Sequence, residues 1–359
     1  MEKCNLTKLQ LFVKSFHDHP FYVGVDVHKR SYHVAIRRAD GRVFTFVTEA
    51  SSESLLGKLQ RLNICIAAIT YEAGPTGFGL ARAIRKFGIV PLVAAPSRIP
   101  RAILAGAKTD RLDCIRLADY ASKELIKSIA IPTETEEAER SLVRRRHKLL
   151  DRIRGCKQRI KSFLLQYSIS EPDSLKGWSQ SAIRDLEQLE MRPEARMTLQ
   201  SLIRELIFFE EEKRVMERCL DELSDRKEHV QAIKHMRSVP GVGRIVSATF
   251  RFELFNPERF RSPVEVASYL GLAPMVHHSG EKRPAGHLRP VGQKRLRSLL
   301  IEAAWLWRAK DPYAARLYKR LLGRMGISQK AIAAIARKLA IILWRLSVEQ
   351  RKYYCPVEA

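Results

Sequence analysis

The sequence predicts an α/β layer domain, a long helical spacer and a mainly helical, basic domain, in that order along 359 residues. Three observations predict it: strand-like alternation confined to the first third, a heptad-spaced apolar stripe in the middle, and an uneven charge. The chain carries 64 Lys and Arg against 39 Asp and Glu, a formal net charge of +25. Residues 1–130 hold 20 basic and 11 acidic side chains, residues 131–235 hold 21 and 20, and residues 236–359 hold 23 and 8. Both ends are therefore basic and the middle is nearly neutral, which places boundaries at 20–130, 131–234 and 235–350. A hydrophobic content of 45% excludes a disordered basic tail, and the excess charge points to a polyanion. No uncharged apolar run approaches the ~18 residues a bilayer span needs, and MEKCNLTKLQLFVKSF lacks the core and cleavage site of a signal peptide. Cys4, Cys65, Cys114, Cys156, Cys219 and Cys355 form no CxxC or Cys/His cluster, so neither a zinc module nor a disulfide scaffold is expected. A reduced, cytoplasmic protein is the default.

In the first module, alternating β-branched and aromatic residues predict strands near 21–27, 32–38 and 43–48. Ala39-Asp40-Gly41 is a natural hairpin turn between the last two. A helix at 51–62, a strand at 64–71, a helix near 76–87, a short strand at 90–95 and a helix at 110–128 follow. Three strands and then alternating helices and strands predict a mixed-sheet layer fold of the ribonuclease H type.

Four carboxylates of this module fall at the ends of neighbouring elements. Asp26 lies inside the first apolar strand, where an unpaired carboxylate is costly. Glu72 ends the fourth strand. Asp110 and Asp113 open the last helix at i, i+3 spacing and so share one face. Each has an ordinary alternative: Asp110 as a first-turn residue favoured by the helix dipole, Asp113 as a partner of Arg116, Glu72 as a residue before a Gly-Pro turn. Together they are a donor set for two hard cations, magnesium above all, spaced roughly 3.5–4 Å as in phosphoryl-transfer sites.

The segments YVGVDVHK (22–29), TYEAGPTG (70–77) and AKTDRLDCIRLADY (107–120) resemble the catalytic blocks of the DEDD insertion-sequence transposases, the family named for insertion sequence one-hundred-ten. The order strand-Asp, strand-Glu, helix Asp-x-x-Asp matches at Asp26, Glu72, Asp110 and Asp113. The resemblance implies an N-terminal domain similar to Holliday-junction resolvases of the RuvC type.

From 134 to 170 the chain reads as one long helix. Leu142, Leu149, Ile153, Cys156, Ile160, Phe163 and Tyr167 form a heptad seam. Arg144, Arg145, Arg146, Arg152, Arg154, Lys157, Arg159 and Lys161 cover its other faces, where they meet either phosphate or water. After a connection at 171–180, further helical sequence carries the stripe Leu202, Leu206, Phe209, Met216, Leu220 and Leu223, interrupted by Lys213. This pattern fits an intramolecular helical hairpin or a coiled coil that pairs protomers. The resemblance favours the coiled coil, because related proteins carry one between their two domains and act as oligomers.

In the last module, apolar helix, Pro240-Gly241-Val242-Gly243 and apolar helix make the pattern of a helix-hairpin-helix. Gly241 and Gly243 would admit a phosphate to the following helix N-terminus, with Arg237 and Arg244 beside it, or else form a tight turn with no ligand. Ser279 stands in His277-His278-Ser279-Gly280, close to Lys282 and Arg283. Imidazoles and cations could activate the hydroxyl, although Ser-Gly in a loop is ordinarily a turn. The same family has "PGIG", "YLGLxP", an "SG" step and "LRRLLxEAA" in its C-terminal domain, and this sequence offers counterparts at 240–243, 269–274, 279–280 and 296–304. His278 stands where a second serine is common, and RPVGQ (289–293) replaces a typical K-R-G-N/D turn. A basic helix begins near Gln293, and the stripe Ile332, Ile335, Leu339, Ile342, Leu346 reads as core.

The expected function is a transposase or recombinase of an insertion element, working on the nucleoid. Asp26, Glu72, Asp110 and Asp113 would hold two magnesium ions, and the resemblance implies that Ser279 attacks DNA to form a phosphoserine link. It also implies a structured noncoding RNA that pairs with target and donor DNA. A metal-dependent, structure-specific nuclease with Ser279 in a plain turn is the second reading. A non-catalytic architectural protein is the third, and it has no use for Asp26 inside a strand.

Overall fold

The structure is a computed structural model and describes residues 6–14, 16, 18–99, 110–274, 288 and 292–355. The chain divides into two compact units, Met1–Thr133 and Glu134–Ala359.

In the first unit β1 (Phe21–Val27), β2 (Ser31–Arg37), β3 (Val43–Glu49), β4 (Ile66–Glu72) and β5 (Pro91–Ala94) form one sheet in the order β3-β2-β1-β4-β5. The first three strands pair antiparallel, and β4 and β5 join parallel to β1. The mixed sheet with its helices is of the ribonuclease H type. Helices α1 (Leu6–Lys14), α2 (Ser52–Gln60), α3 (Gly79–Lys86) and α4 (Asp110–Ser122) complete the unit. Strand alternation gives the sheet two faces. Val23, Val25, Val34, Ile36, Ile69 and Tyr71 pack with Leu9, Leu55, Leu59, Leu80 and Ile84 on one of them. On the other, Ala35 packs with Cys114 and Ala118 of α4.

That second face is set by Gly24. A Cβ there would lie 2.0 Å from the Cys114 carbonyl oxygen and 2.6 Å from the Ala118 nitrogen, so α4 rests directly on the β1 backbone. Gly24→Ala is expected to destabilise the unit by about 1–3 kcal/mol or more, since the clash is with backbone and cannot be relieved by a rotamer. Denaturant unfolding of the variant checks this. The sequence predicts α4 to run to 128, but it ends at Ser122. Glu124 takes a left-handed conformation, and the Leu125 amide donates to the Tyr120 carbonyl. This turns the chain so that Ile126 packs on Ala94 and Leu117, and Ser128 bridges to Ala94.

The second unit is helical: α5 (Glu134–Gln166), α6 (Gln180–Gln188), α7 (Pro193–Ser224), α8 (Val230–Arg237), α9 (Arg244–Leu254), α10 (Pro263–Tyr269), α11 (Lys294–Lys310), α12 (Pro312–Met325) and α13 (Ser328–Glu349). Helices α5 and α7 pack as an antiparallel pair. The seam residues Ile153, Cys156, Ile160 and Phe163 are buried against Leu199, Ile203 and Leu206 of the same chain. Lys213, which interrupts the α7 stripe, donates to Glu210, and Glu210 also faces Lys157. Burial raises the Glu210 carboxyl, but these two ammonium groups outweigh it and hold the acid below its usual range. Of the eight α5 cations that line its outer faces in sequence, six are neutralised inside the unit: Arg144 by Glu253, Arg146 by Glu217, Arg154 by Asp151, Lys157 by Glu210, Arg159 by Glu205 and Lys161 by Glu171. Arg145 and Arg152 are exposed.

Around the root of that hairpin a larger core gathers Val143, Leu220, Met236, Phe250, Phe252, Leu300, Trp307 and the α13 stripe Ile332, Ile335, Leu339 and Leu346. Among the described residues, no helix is long and apolar enough to cross a membrane.

Candidate metal centre and nucleic-acid contacts

The C-terminal ends of β1 and β4 and the first turn of α4 meet on the face that Gly24 opens. Asp26 lies two residues beyond Gly24, so it projects to the α4 side of the sheet. Thr70 pairs with Gly24, which puts Glu72, two residues on, on that same side at the end of β4. Asp110 is the first described residue of α4 and Asp113 lies one turn later. All four carboxylates expected from the sequence thus belong to one end of one face.

Donor atoms of Asp26, His28 and Asp110 all lie within 4.8 Å of one another. Glu72 and Asp113 are not members of that tight group. Glu72 is exposed, and Asp113 faces Arg116 at 3.8 Å. Asp113 and Asp26 nevertheless act on one neighbour. Burial, then the charge of Asp26, and more weakly that of Asp113, push the Cys114 thiol up to about 12. Cys114 is a buried packing residue on the α4 side of the sheet.

Two histidines that sequence reasoning did not assign to the site are there. His28 Nε2 is 3.0 Å from Asp26 Oδ2 and 3.5 Å from Asp110 Oδ2. His33 Nε2 is 3.8 Å from Asp110 Oδ2, and the two imidazoles meet edge to face at 5.9 Å. A signal for them existed. The His28 amide donates to the Ser31 carbonyl, closing a hairpin over Lys29-Arg30, and that register sets His33 opposite Asp26. Carboxylate oxygens and an imidazole nitrogen converging from a strand, a hairpin corner and a helix suit a divalent cation.

In the second unit Gly241 has φ +86, and a Cβ there would lie 2.8 Å from the Trp307 nitrogen and 2.9 Å from the Leu306 carbonyl carbon. The close backbone approach this glycine permits is to α11. Gly243 begins α9, and a Cβ there would meet nothing within 4 Å. Arg237 lines an open cleft of about 550 Å³ together with Lys234, Ser238 and Lys352. Arg244 is half-exposed and paired to Asp221 at 2.6 Å.

Ser279, Lys282 and Arg283 lie outside the described residues. Their flanks are described: Pro274 and Leu288 pair in an antiparallel bridge. The start of α11 is tied to the end of α10, with the Gln293 amide donating to Tyr269 and Arg297 Nη1 donating to the Gly271 carbonyl. Gly292 (φ +93) is required there, because a Cβ would lie 2.5 Å from the Gly271 nitrogen.

Residues 23–169 match a family model described as a DEDD transposase, and residues 233–319 match one described as the IS116/IS110/IS902 transposase family. The Sinorhizobium fredii protein y4qE, a transposase by name, is 28% identical over 92% of this chain and 89% of its own length. The transposase for insertion sequence element IS1533 of Leptospira borgpetersenii is 25% identical over 90% of this chain and 94% of its own. That for element IS1328 of Yersinia enterocolitica is 24% identical over 91% and 96%.

Proposed function

Because this chain belongs to the IS110-type transposases and so is an enzyme that recombines DNA, we propose that it moves an insertion element by serine-assisted strand exchange at a magnesium-bound carboxylate site. The observation that carries the reading is the convergence of Asp26 and Asp110, from a strand and a helix far apart in sequence, at the open end of the sheet. Asp26 and Asp110 would hold the divalent ion, and Glu72 and Asp113 on the same face would complete the holding of two. A magnesium ion held there would supply charge neutralisation and Lewis-acid polarisation of a scissile phosphate. The protein keeps the carboxylates spaced through the rigid strand ends and the α4 backbone resting on Gly24. Ser279 supplies the nucleophile: its Oγ forms a phosphoester with the scissile phosphorus as the P–O bond to one deoxyribose breaks, and that deoxyribose leaves as a free hydroxyl that takes up a proton. The neighbouring His277 and His278 can take the serine proton, and Lys282 and Arg283 add a positive field.

The domain division 20–130, 131–234 and 235–350 serves this scheme as catalytic module, spacer and serine module. In the helix-hairpin-helix formed by α8 and α9, Gly243 leaves the α9 N-terminus accessible to a DNA phosphate. Arg237 acts from the adjoining basic cleft, Arg244 is released from Asp221 to do so, and Gly241 seats the turn against α11. The α5 seam closes on α7 within the chain, so protomers pair as a coiled coil through the outer, exposed apolar residues of this hairpin such as Met197, Ile207 and Phe208, and a structured noncoding RNA guides target choice. The enzyme works on the nucleoid in the cytoplasm.

Covalent capture tests the serine. Wild-type protein incubated with labelled element-end DNA and magnesium, then denatured, is expected to give a protein–DNA adduct that Ser279→Ala lacks. An adduct that persists in Ser279→Ala overturns the serine chemistry. Cleavage of junction DNA with no adduct favours the resolvase-like nuclease instead.

A further inference from the structure

We propose that His28 is a direct nitrogen ligand of the ion held by Asp26 and Asp110, and that this site therefore holds manganese more tightly than its carboxylates alone would. The inference rests on the carboxylate-site reading above and goes beyond its four acids.

The geometry is the argument. Donors in neighbouring positions around an octahedral ion, each about 2.1 Å from it, stand about 3.0 Å from one another. His28 Nε2 and Asp26 Oδ2 are 3.0 Å apart, and His28 Nε2 and Asp110 Oδ2 are 3.5 Å apart. The hydrogen bond that joins His28 to Asp26 thus has the span of two ligands sharing one ion. His28 is fixed for the task, because its amide donates to the Ser31 carbonyl at the hairpin corner and its ring rests edge-on against His33. Nε2 binds through its lone pair, with the ring proton on Nδ1. His33 Nε2 stands 3.8 Å from Asp110 Oδ2, beyond hydrogen-bond reach, and so neighbours the site without joining it.

An imidazole nitrogen changes what the site selects. Magnesium takes oxygen donors and water, whereas imidazole favours first-row transition metals, so one nitrogen among carboxylates shifts preference toward Mn2+. A site of oxygens alone would give no such shift.

The test uses Mn2+ as the probe and electron spin-echo envelope modulation as the readout. Mn2+ bound to the full-length wild-type chain is expected to show coupling to a directly bound 14N. Growth on 15N-labelled histidine should replace this with the 15N pattern, which needs no variant. His28→Gln should remove the coupling and weaken Mn2+ binding about tenfold or more, taking the scale set by lost metal-site partners as a floor. It should leave Mg2+ binding nearly unchanged, and His33→Gln should keep the coupling. Bound Mn2+ without nitrogen coupling, coupling that survives in His28→Gln, or coupling lost only in His33→Gln overturns the assignment while leaving the carboxylate site standing. If wild type binds no Mn2+, or binds it equally well as Asp26→Asn, the carboxylate-site reading itself fails and this inference falls with it. Circular dichroism of each variant separates these outcomes from loss of fold.

Discussion

Asp26→Asn is expected to lower DNA strand cleavage by about three orders of magnitude, the loss that follows when several kcal/mol of transition-state charge stabilisation disappears. The amide has the shape of the acid and keeps one oxygen toward His28, so the strand and its seat under α4 should be undisturbed. What it removes is the charge that faces Asp110 and His28 across the site. Single-turnover cleavage of element-end DNA measures the loss. Fluorescence anisotropy should show DNA affinity unchanged, because the residues proposed to contact phosphate belong to the second unit. A variant that cleaves within a few-fold of wild type would remove Asp26 from the chemistry and return the architectural reading to favour.

Glu253→Gln is expected to be the most damaging single-atom change in the second unit, costing about 3 kcal/mol. Glu253 is 2% exposed and accepts from Arg144 Nε and Nη2, both at 3.0 Å, while Arg140 faces it at 3.5 Å. The paired carboxylate in turn raises the Arg144 guanidinium above its ordinary value, burial opposing it. With Gln in its place, the buried Arg140 loses the carboxylate it faces, and Arg144 loses its two charge-assisted hydrogen bonds. For a unit of this size the loss corresponds to a fall of about 6–12 °C in Tm. Differential scanning calorimetry measures it, with Arg214→Ala as control. Arg214 and Glu211 form an exposed i, i+3 pair, so that change should move stability by no more than about 0.5 kcal/mol. Equal effects from the two variants would show that the buried cluster contributes no more than surface charge does.

Much of the candidate metal face was legible in the sequence. The alternation YVGVDV places Asp26 opposite in face to Val23 and Val25, and the same parity in IAAITYE carries Glu72 with Thr70. Asp110 and Asp113 share a helix face by spacing alone. The histidines were not legible in the same way. His28 and His33 become neighbours of Asp26 only when the hairpin closes over Lys29-Arg30, and neither β-branched alternation nor helix spacing fixes that turn. The cations of α5 were ambiguous for a related reason. Their partners Glu205, Glu210, Glu217 and Glu253 lie on α7 and α9, so a row that reads as a basic face in sequence is largely neutralised in the folded unit.

Gly241 makes the same distinction at one residue. The sequence shows a glycine in a helix–turn–helix connection, which serves a phosphate or a tight turn equally well. Packing shows that its missing side chain makes room for the α11 backbone. By itself the sequence determined which residues alternate, which share a face and where charge accumulates, because those are consequences of periods of two and 3.6 residues along a local backbone. The tertiary structure alone decided which imidazoles join the carboxylates, which glycine is filled by a helix, and which cations already have partners. Those depend on chain segments brought together across long sequence separations, where no local period carries the information.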